Sequence, residues 1–212
     1  MEKITLKKIV FHKNKYAVMP LIAGIFMALY GVCGAISYHS GVFLPIPEFE
    51  KAIPMLRWSI YIYIVLYPAY LVWCIIGYKD EDNMNKTLFA FMVLTVLSCA
   101  IFLSFPVNYP REFYPLPPFT DITTLLFKAV RMIDKPSNCL PSLHVGICYC
   151  FAFGWYRENK TKFWISIFIS TLISISTLTT KQHYIYDVVA GFGLAIFIFY
   201  FFDKYSKVST KA

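Results

Sequence analysis

An all-α bundle crossing the membrane six times, with one short amphipathic helix lying at the interface, is the architecture expected of this integral membrane chain. Three observations point to it. Hydrophobic residues fill 58% of the 212 positions and charged residues only 15%, far from ordinary globular composition. Long uncharged runs recur along the whole length, and about 20 residues rising roughly 1.5 Å each are enough to cross the hydrocarbon core. Basic residues collect in the short connections between these runs. Lipid offers the backbone no partners, so such runs must be helices and not strands of an open sheet. No Gly/Ser-rich or Pro-rich linker, internal repeat or low-complexity tract divides them, so residues 1–212 read as one domain.

The net charge of +8 does not indicate nucleic acid. A nucleic-acid binder gathers its cations on one continuous solvated face, whereas these sit between apolar runs as charges facing anionic lipid. Of the six cysteines (Cys33, Cys74, Cys99, Cys139, Cys148, Cys150), five lie inside apolar spans and read as small buried hydrophobes. Cys148 and Cys150, two apart, point about 200° away from each other on a helix and cannot share a metal. No metal and no cofactor is expected.

Five lysines (Lys3, Lys7, Lys8, Lys13, Lys15) precede the first run, Ala17 to Tyr38. It is too long for a signal-peptide core of about 7 to 15 residues, so it reads as an uncleaved span. Gly41 to Pro54, with three prolines, is a loop outside the membrane. Trp58 to Tyr78 is the second span, where neighbouring helices can satisfy the carbonyl freed by Pro68. After the charged turn Lys79 to Lys86 comes the third span, Thr87 to Phe105. Pro106 to Pro136 is the one long polar connection, and its second half, Thr120 to Asp134, spaces Ile122, Leu125, Leu126, Ala129, Val130 and Ile133 as an amphipathic interfacial helix. The fourth span runs from Pro141 or Ser142 to near Tyr156, the fifth from Phe163 to Thr180 and the sixth from His183 to Phe202.

With an even number of spans both termini share a side. That side holds 13 of the 20 basic residues, so it is expected to be cytoplasmic. The other seven (Lys51, Arg57, Arg111, Lys128, Arg131, Lys135, Lys181) then face outward.

Two stretches at that outer face carry chemistry. In Pro141-Ser142-Leu143-His144, proline suits a first helical position, and Ser142, Leu143 and His144 offer backbone N–H groups at the positive end of a helix dipole, where a phosphate fits. The plainer reading is that Ser142 caps the helix and His144 marks the interface. In Gln182-His183-Tyr184-Ile185-Tyr186-Asp187, His183 and Asp187 stand at i and i+4, so the carboxylate can fix the tautomer and leave the other ring nitrogen as a nucleophile or base. A structural His–Asp pair holding two helices together is the alternative.

With Arg111, these groups make a site for a phosphate ester. Cations and N–H groups hold the oxygens, one imidazole attacks, and the other protonates the leaving group. Zinc chemistry lacks its H-E-x-x-H or C-x-x-C spacing. The abundant aromatics (Tyr61, Tyr63, Phe197, Phe199, Tyr200) read as lipid-facing or interfacial, and Ala190, Gly191, Gly193 and Ala195 as close helix packing.

From Tyr109 to Gly193 the chain resembles the type 2 phosphatidic acid phosphatase family, a membrane branch of the superfamily that also holds the vanadium haloperoxidases. Its P-S-G-H motif is matched by Pro141, Ser142 and His144. Its S-R-x-x-x-x-x-H-x-x-x-D motif is matched by Ser176, His183 and Asp187. The resemblance implies a six-helix core, His144 as acid, and His183 as the nucleophile that carries a phosphohistidine.

There are departures. Leu143 replaces the motif glycine, Thr177 the arginine after serine, Glu112 the proline after Arg111, and Ser104 a lysine. Lys181 is the candidate replacement for a lost cation. C-x-P-S-L-H-V and Q-H-Y-x-x-D-V are similar to a subgroup that includes inositol phosphorylceramide synthase-like transferases. The expected activity is therefore hydrolysis of a lipid phosphate or polyprenyl diphosphate at the extracytoplasmic face of a bacterial cell membrane. Transfer of a phospho-headgroup to a lipid hydroxyl is the alternative, and a non-enzymatic membrane protein keeping the fold ranks last.

Overall fold

The computed structural model describes residues 15–116, 118 and 121–209. The expectations placed on Lys3, Lys7, Lys8, Lys13, Thr120 and Lys211 lie outside them. The long helices are α1 (Lys15–Ser40), α3 (Ser59–Gly77), α4 (Glu81–Ser104), α6 (Leu143–Glu158), α7 (Lys160–Thr179) and α8 (Ile185–Ser209), with the short α2 (Glu48–Lys51) and the amphipathic α5 (Ile122–Ile133) between them. Among the described residues four stretches are long and apolar enough to cross a membrane: Pro20–Ser40 of α1, then α3, α4 and α7. The 16-residue α6 spans only about 24 Å. It is the central helix, buried over most of Leu143 to Trp155 among α3, α4, α7 and α8.

Helix ends follow local chemistry. Where the apolar pattern predicts a start at Thr87, α4 begins at Glu81, because Asp80 caps it by accepting from Asn83 N at 2.9 Å and Glu81 and Asp82 complement the dipole. Asn159 closes α6 and caps α7 through Lys162 N. In α3 the ring of Pro68 would crowd the carbonyl four residues back. The helix widens there into a π turn over Ile62–Leu66, and with it Tyr63 and Tyr67 both meet His144.

The loops at one end form a second layer absent from the hydropathy pattern. Two short strands, β1 (Val42–Phe43) and β2 (Val107–Asn108), pair in parallel and tie the loop after α1 to the loop after α4. Tyr184 clamps them, donating to Asn108 O at 3.0 Å and accepting from Leu44 N at 3.1 Å. At the opposite end Lys162 Nζ reaches Gly77 O and Glu158 accepts from Lys79 N. The basic connections Lys79–Lys86 and Arg157–Lys162 therefore gather far from the histidines.

Helix α5 turns most of its expected apolar stripe outward, as a helix lying at the interface does. It buries Thr124, Phe127 and Val130 against Ile60 and Tyr63, while Ile122, Leu125, Met132 and Ile133 stay exposed. Gly191 gives close packing as expected, because a side chain there would strike the Ser142 carbonyl, but Gly193 faces open space.

Candidate active site

The start of α8 is built by Asp187. Its Oδ2 accepts from Tyr184 N at 2.9 Å, reaching back to the residue before the helix as a capping carboxylate does, and the same oxygen lies 3.1 Å from His183 Nδ1. His183 stands in the bend just before α8, not on it, yet the pair forms as its spacing predicts. Both residues are buried.

The turn from α7 into this bend ends in a paired closure: Gln182 N donates to Thr177 O and Lys181 N to Leu178 O. Of these two donors the earlier in the chain stands at the left-handed position that is usually glycine, but here it is Lys181, with φ 56°. Its ammonium donates to Ile53 O at 2.7 Å, approaches Glu50 O at 3.5 Å and lies over the Tyr114 ring. The structure thus turns Lys181 toward the loop below α2 and not toward the histidines, because loop carbonyls satisfy a buried ammonium there. Burial lowers its pKa, with the Glu50 charge opposing. Glu50 in turn accepts from Ile185 N at 2.9 Å. The two residues tether the α7–α8 bend to the loop before α3.

The start of α6 differs in detail from its reading as a proline-led helix. Helix α6 begins at Leu143, with Ser142 as its cap, accepting from Val145 N at 3.4 Å, and Pro141 lies outside, after a cis peptide bond. Ser142 N donates to Asp187 O, which stitches the two motifs together and removes that amide from the expected anion site. The Leu143 and His144 amides fall in the first turn, where no carbonyl four residues back exists for them. Asn138, with φ 57°, anchors the preceding loop, accepting from Ser37 Oγ and donating to Tyr30 O on α1.

The two imidazoles meet edge to face with ring centroids 5.8 Å apart. Arg111, from a turn of 3-10 helix after β2, is buried beside them; NH1 donates to Asp134 O and NH2 lies 3.7 Å from Asp134 Oδ2. Asp134 was not legible as a site residue. Its Oδ1 accepts from Tyr30 and its Oδ2 from Tyr63, each at 2.8 Å, and Tyr63 also lies 2.9 Å from His144 Nε2. Burial pushes the Asp134 carboxyl up, but the charges of His144, Arg111 and His183 and the Tyr63 hydrogen bond outweigh it and hold its pKa below the usual value. Tyr63, read as lipid-facing, is therefore corrected to a buried partner of the site, while Tyr61, Phe197 and Tyr200 are exposed as expected.

A family model described as the PAP2 superfamily matches residues 47–201. The chain belongs to the PAP2 superfamily. Nothing matches it among curated proteins or solved structures. PAP2 membership accords with a mostly helical membrane fold and points to phosphatase-type phosphoryl transfer. Of the residues the motifs single out in this PAP2 chain, the structure brings His144, His183, Asp187, Ser142 and Arg111 together and leaves Lys181 aside. The positions of two lost motif cations hold Ser104 and Thr177, whose hydroxyls bond back to Ala100 O and Ser174 O.

Among the described residues one group has the donor chemistry for a metal: Cys139, His183 and Asp187, with ligand atoms within 4.8 Å of one another. His183 and Asp187 already bond each other, and Asp187 also holds Tyr184 N, so a cation would have to break the pair. The six cysteines are all buried and free.

Proposed function

We propose that the protein cleaves a lipid phosphate ester or diphosphate through a phosphohistidine on His183. The observation that carries this reading is the Asp187–His183 hydrogen bond with a second imidazole standing edge to face beside it, ring centroids 5.8 Å apart. Asp187 holds the Nδ1 proton, so the Nε2 lone pair attacks phosphorus. As the P–O bond breaks, a proton from His144 passes to the leaving oxygen. Water then attacks phosphorus while neutral His144 takes its proton; the new P–O bond forms, the P–N electron pair returns to His183, and phosphate departs. Arg111 and the first amides of α6 bind the phosphoryl oxygens.

A second reading, transfer of a phospho-headgroup to a lipid hydroxyl as in inositol phosphorylceramide synthase-like proteins, is favoured by one observation. Arg111 is already paired with Asp134 and Lys181 is turned away, so little uncompensated positive charge remains for a dianionic monoester. A monoanionic diester suits such a site better. The purified protein in detergent, given phosphatidic acid, polyprenyl diphosphate and a phosphodiester lipid with ceramide or diacylglycerol as acceptor, is expected to release phosphate faster than it forms transfer product. Transfer outrunning release would replace the first reading with the second.

The proposed topology places six spans in the membrane, both termini in the cytoplasm and the site outside, with exposed Ile122, Leu125, Met132 and Ile133 of α5 resting in the lipid interface. Glu48, with 89% of its side chain exposed, tests it. A cysteine put there should react with an impermeant reagent in intact cells, against a background of six buried native thiols. Labelling only after lysis would reverse the orientation.

A further inference from the structure

His183 has its aspartate four residues away, but His144 has no carboxylate nearby in sequence. The fold supplies one. Asp134 ends α5 and approaches His144 through Tyr63, which rises from the π turn of α3. An ionised carboxylate only accepts, and a phenol has one proton, so the Tyr63 hydroxyl hydrogen goes to Asp134 Oδ2. Its oxygen, with its lone pairs, then faces His144, 2.9 Å from Nε2 and 3.4 Å from Nδ1, where it supports positive charge on the ring. The second carboxylate oxygen is held by Tyr30 and the guanidinium of Arg111 lies behind, so the carboxylate cannot rotate away.

We propose that Tyr63 and Asp134 are positioning residues for His144, a relay that orients its ring and stabilises its imidazolium, and that they suit the site to substrates whose leaving oxygen is a poorly leaving alkoxide. This rests on His144 being the acid. The groups that face the imidazole are Tyr63 and Tyr67 from α3, Asp134 from α5, Arg111 from the turn after β2, and His183 from the bend before α8. Of these only Asp134 is an anion, so it alone can balance the charge that the acid carries before transfer. A bare interfacial histidine would need neither the relay nor its two phenol anchors.

A structural tie and a catalytic relay predict different patterns. Tyr63→Phe keeps the ring and its packing and removes only the hydroxyl; Asp134→Asn removes the charge. Each is expected to lose about 10- to 100-fold in kcat on an alkyl lipid monophosphate, typical of removing such an outer hydrogen-bond partner. On nitrophenyl phosphate, whose leaving group needs no proton, the loss should be only a few-fold. Added to His144→Ala, neither substitution should cost more on the alkyl substrate, because the group it positions is gone.

Equal losses on both substrates, or losses that multiply with His144→Ala, would overturn the relay. Should Asp134→Asn fail to fold, Tyr63→Phe alone still decides. If His144→Ala itself shows no dependence on the leaving group, the acid assignment falls and the relay with it. If His144→Ala shows that dependence and Tyr63→Phe does not, only the relay falls.

Discussion

His183→Ala should abolish turnover of every phosphate substrate, by about 10⁴-fold or more, as loss of a nucleophile does in other covalent mechanisms. On the proposed phosphohistidine route no leaving group, however good, can rescue it, because the group that accepts the phosphoryl is gone. The check is acid-labile, base-stable phosphoryl label trapped on the peptide bearing His183 after rapid mixing. Asp187→Asn should fall between this variant and the native protein, since the imidazole remains but its tautomer and developing charge lose support. It keeps one oxygen to accept from the Tyr184 amide at the head of α8 but loses the negative charge that strengthens that bond and complements the helix dipole, so its melting temperature should drop slightly along with its rate. Label recovered on His144 instead would reverse the assignment of the two rings.

The second large effect separates acid from nucleophile. An unprotonated alkoxide leaves badly, so His144→Ala should cost about 10² to 10⁴-fold on an alkyl phosphate. A phenolate or a phosphate leaving group has a conjugate acid strong enough to depart unaided. Nitrophenyl phosphate and a polyprenyl diphosphate should therefore lose far less. A common factor across all three would mean that His144 binds or orders the site and gives no proton.

Much of this was readable because it is local. His183 and Asp187 are one helical turn apart, and a spacing of four residues survives even though the helix starts two residues later than expected. The α6 start was readable for the same reason, Ser142 capping within three residues of itself. Lys181 shows where that reasoning stops. Its place two residues before His183 suggested a substrate cation, but a left-handed backbone sends its side chain to carbonyls some 130 positions earlier, Glu50 and Ile53. Tyr63 was hidden in the same way, since an aromatic at the head of an apolar run looks like an interfacial anchor until the π turn before Pro68 faces it inward.

Membrane class, helical segments and the two motif edges were set by composition and short spacing, because in lipid each segment must satisfy its own backbone and its hydropathy is sufficient to declare it. The partner of the second histidine was decided by packing alone. Asp134 meets Tyr63 across 71 positions and Tyr30 across 104. No periodicity links residues so far apart; only the docking of α1, α3 and α5 around one half-buried carboxylate, which must be hydrogen-bonded as it leaves water, brings them to His144.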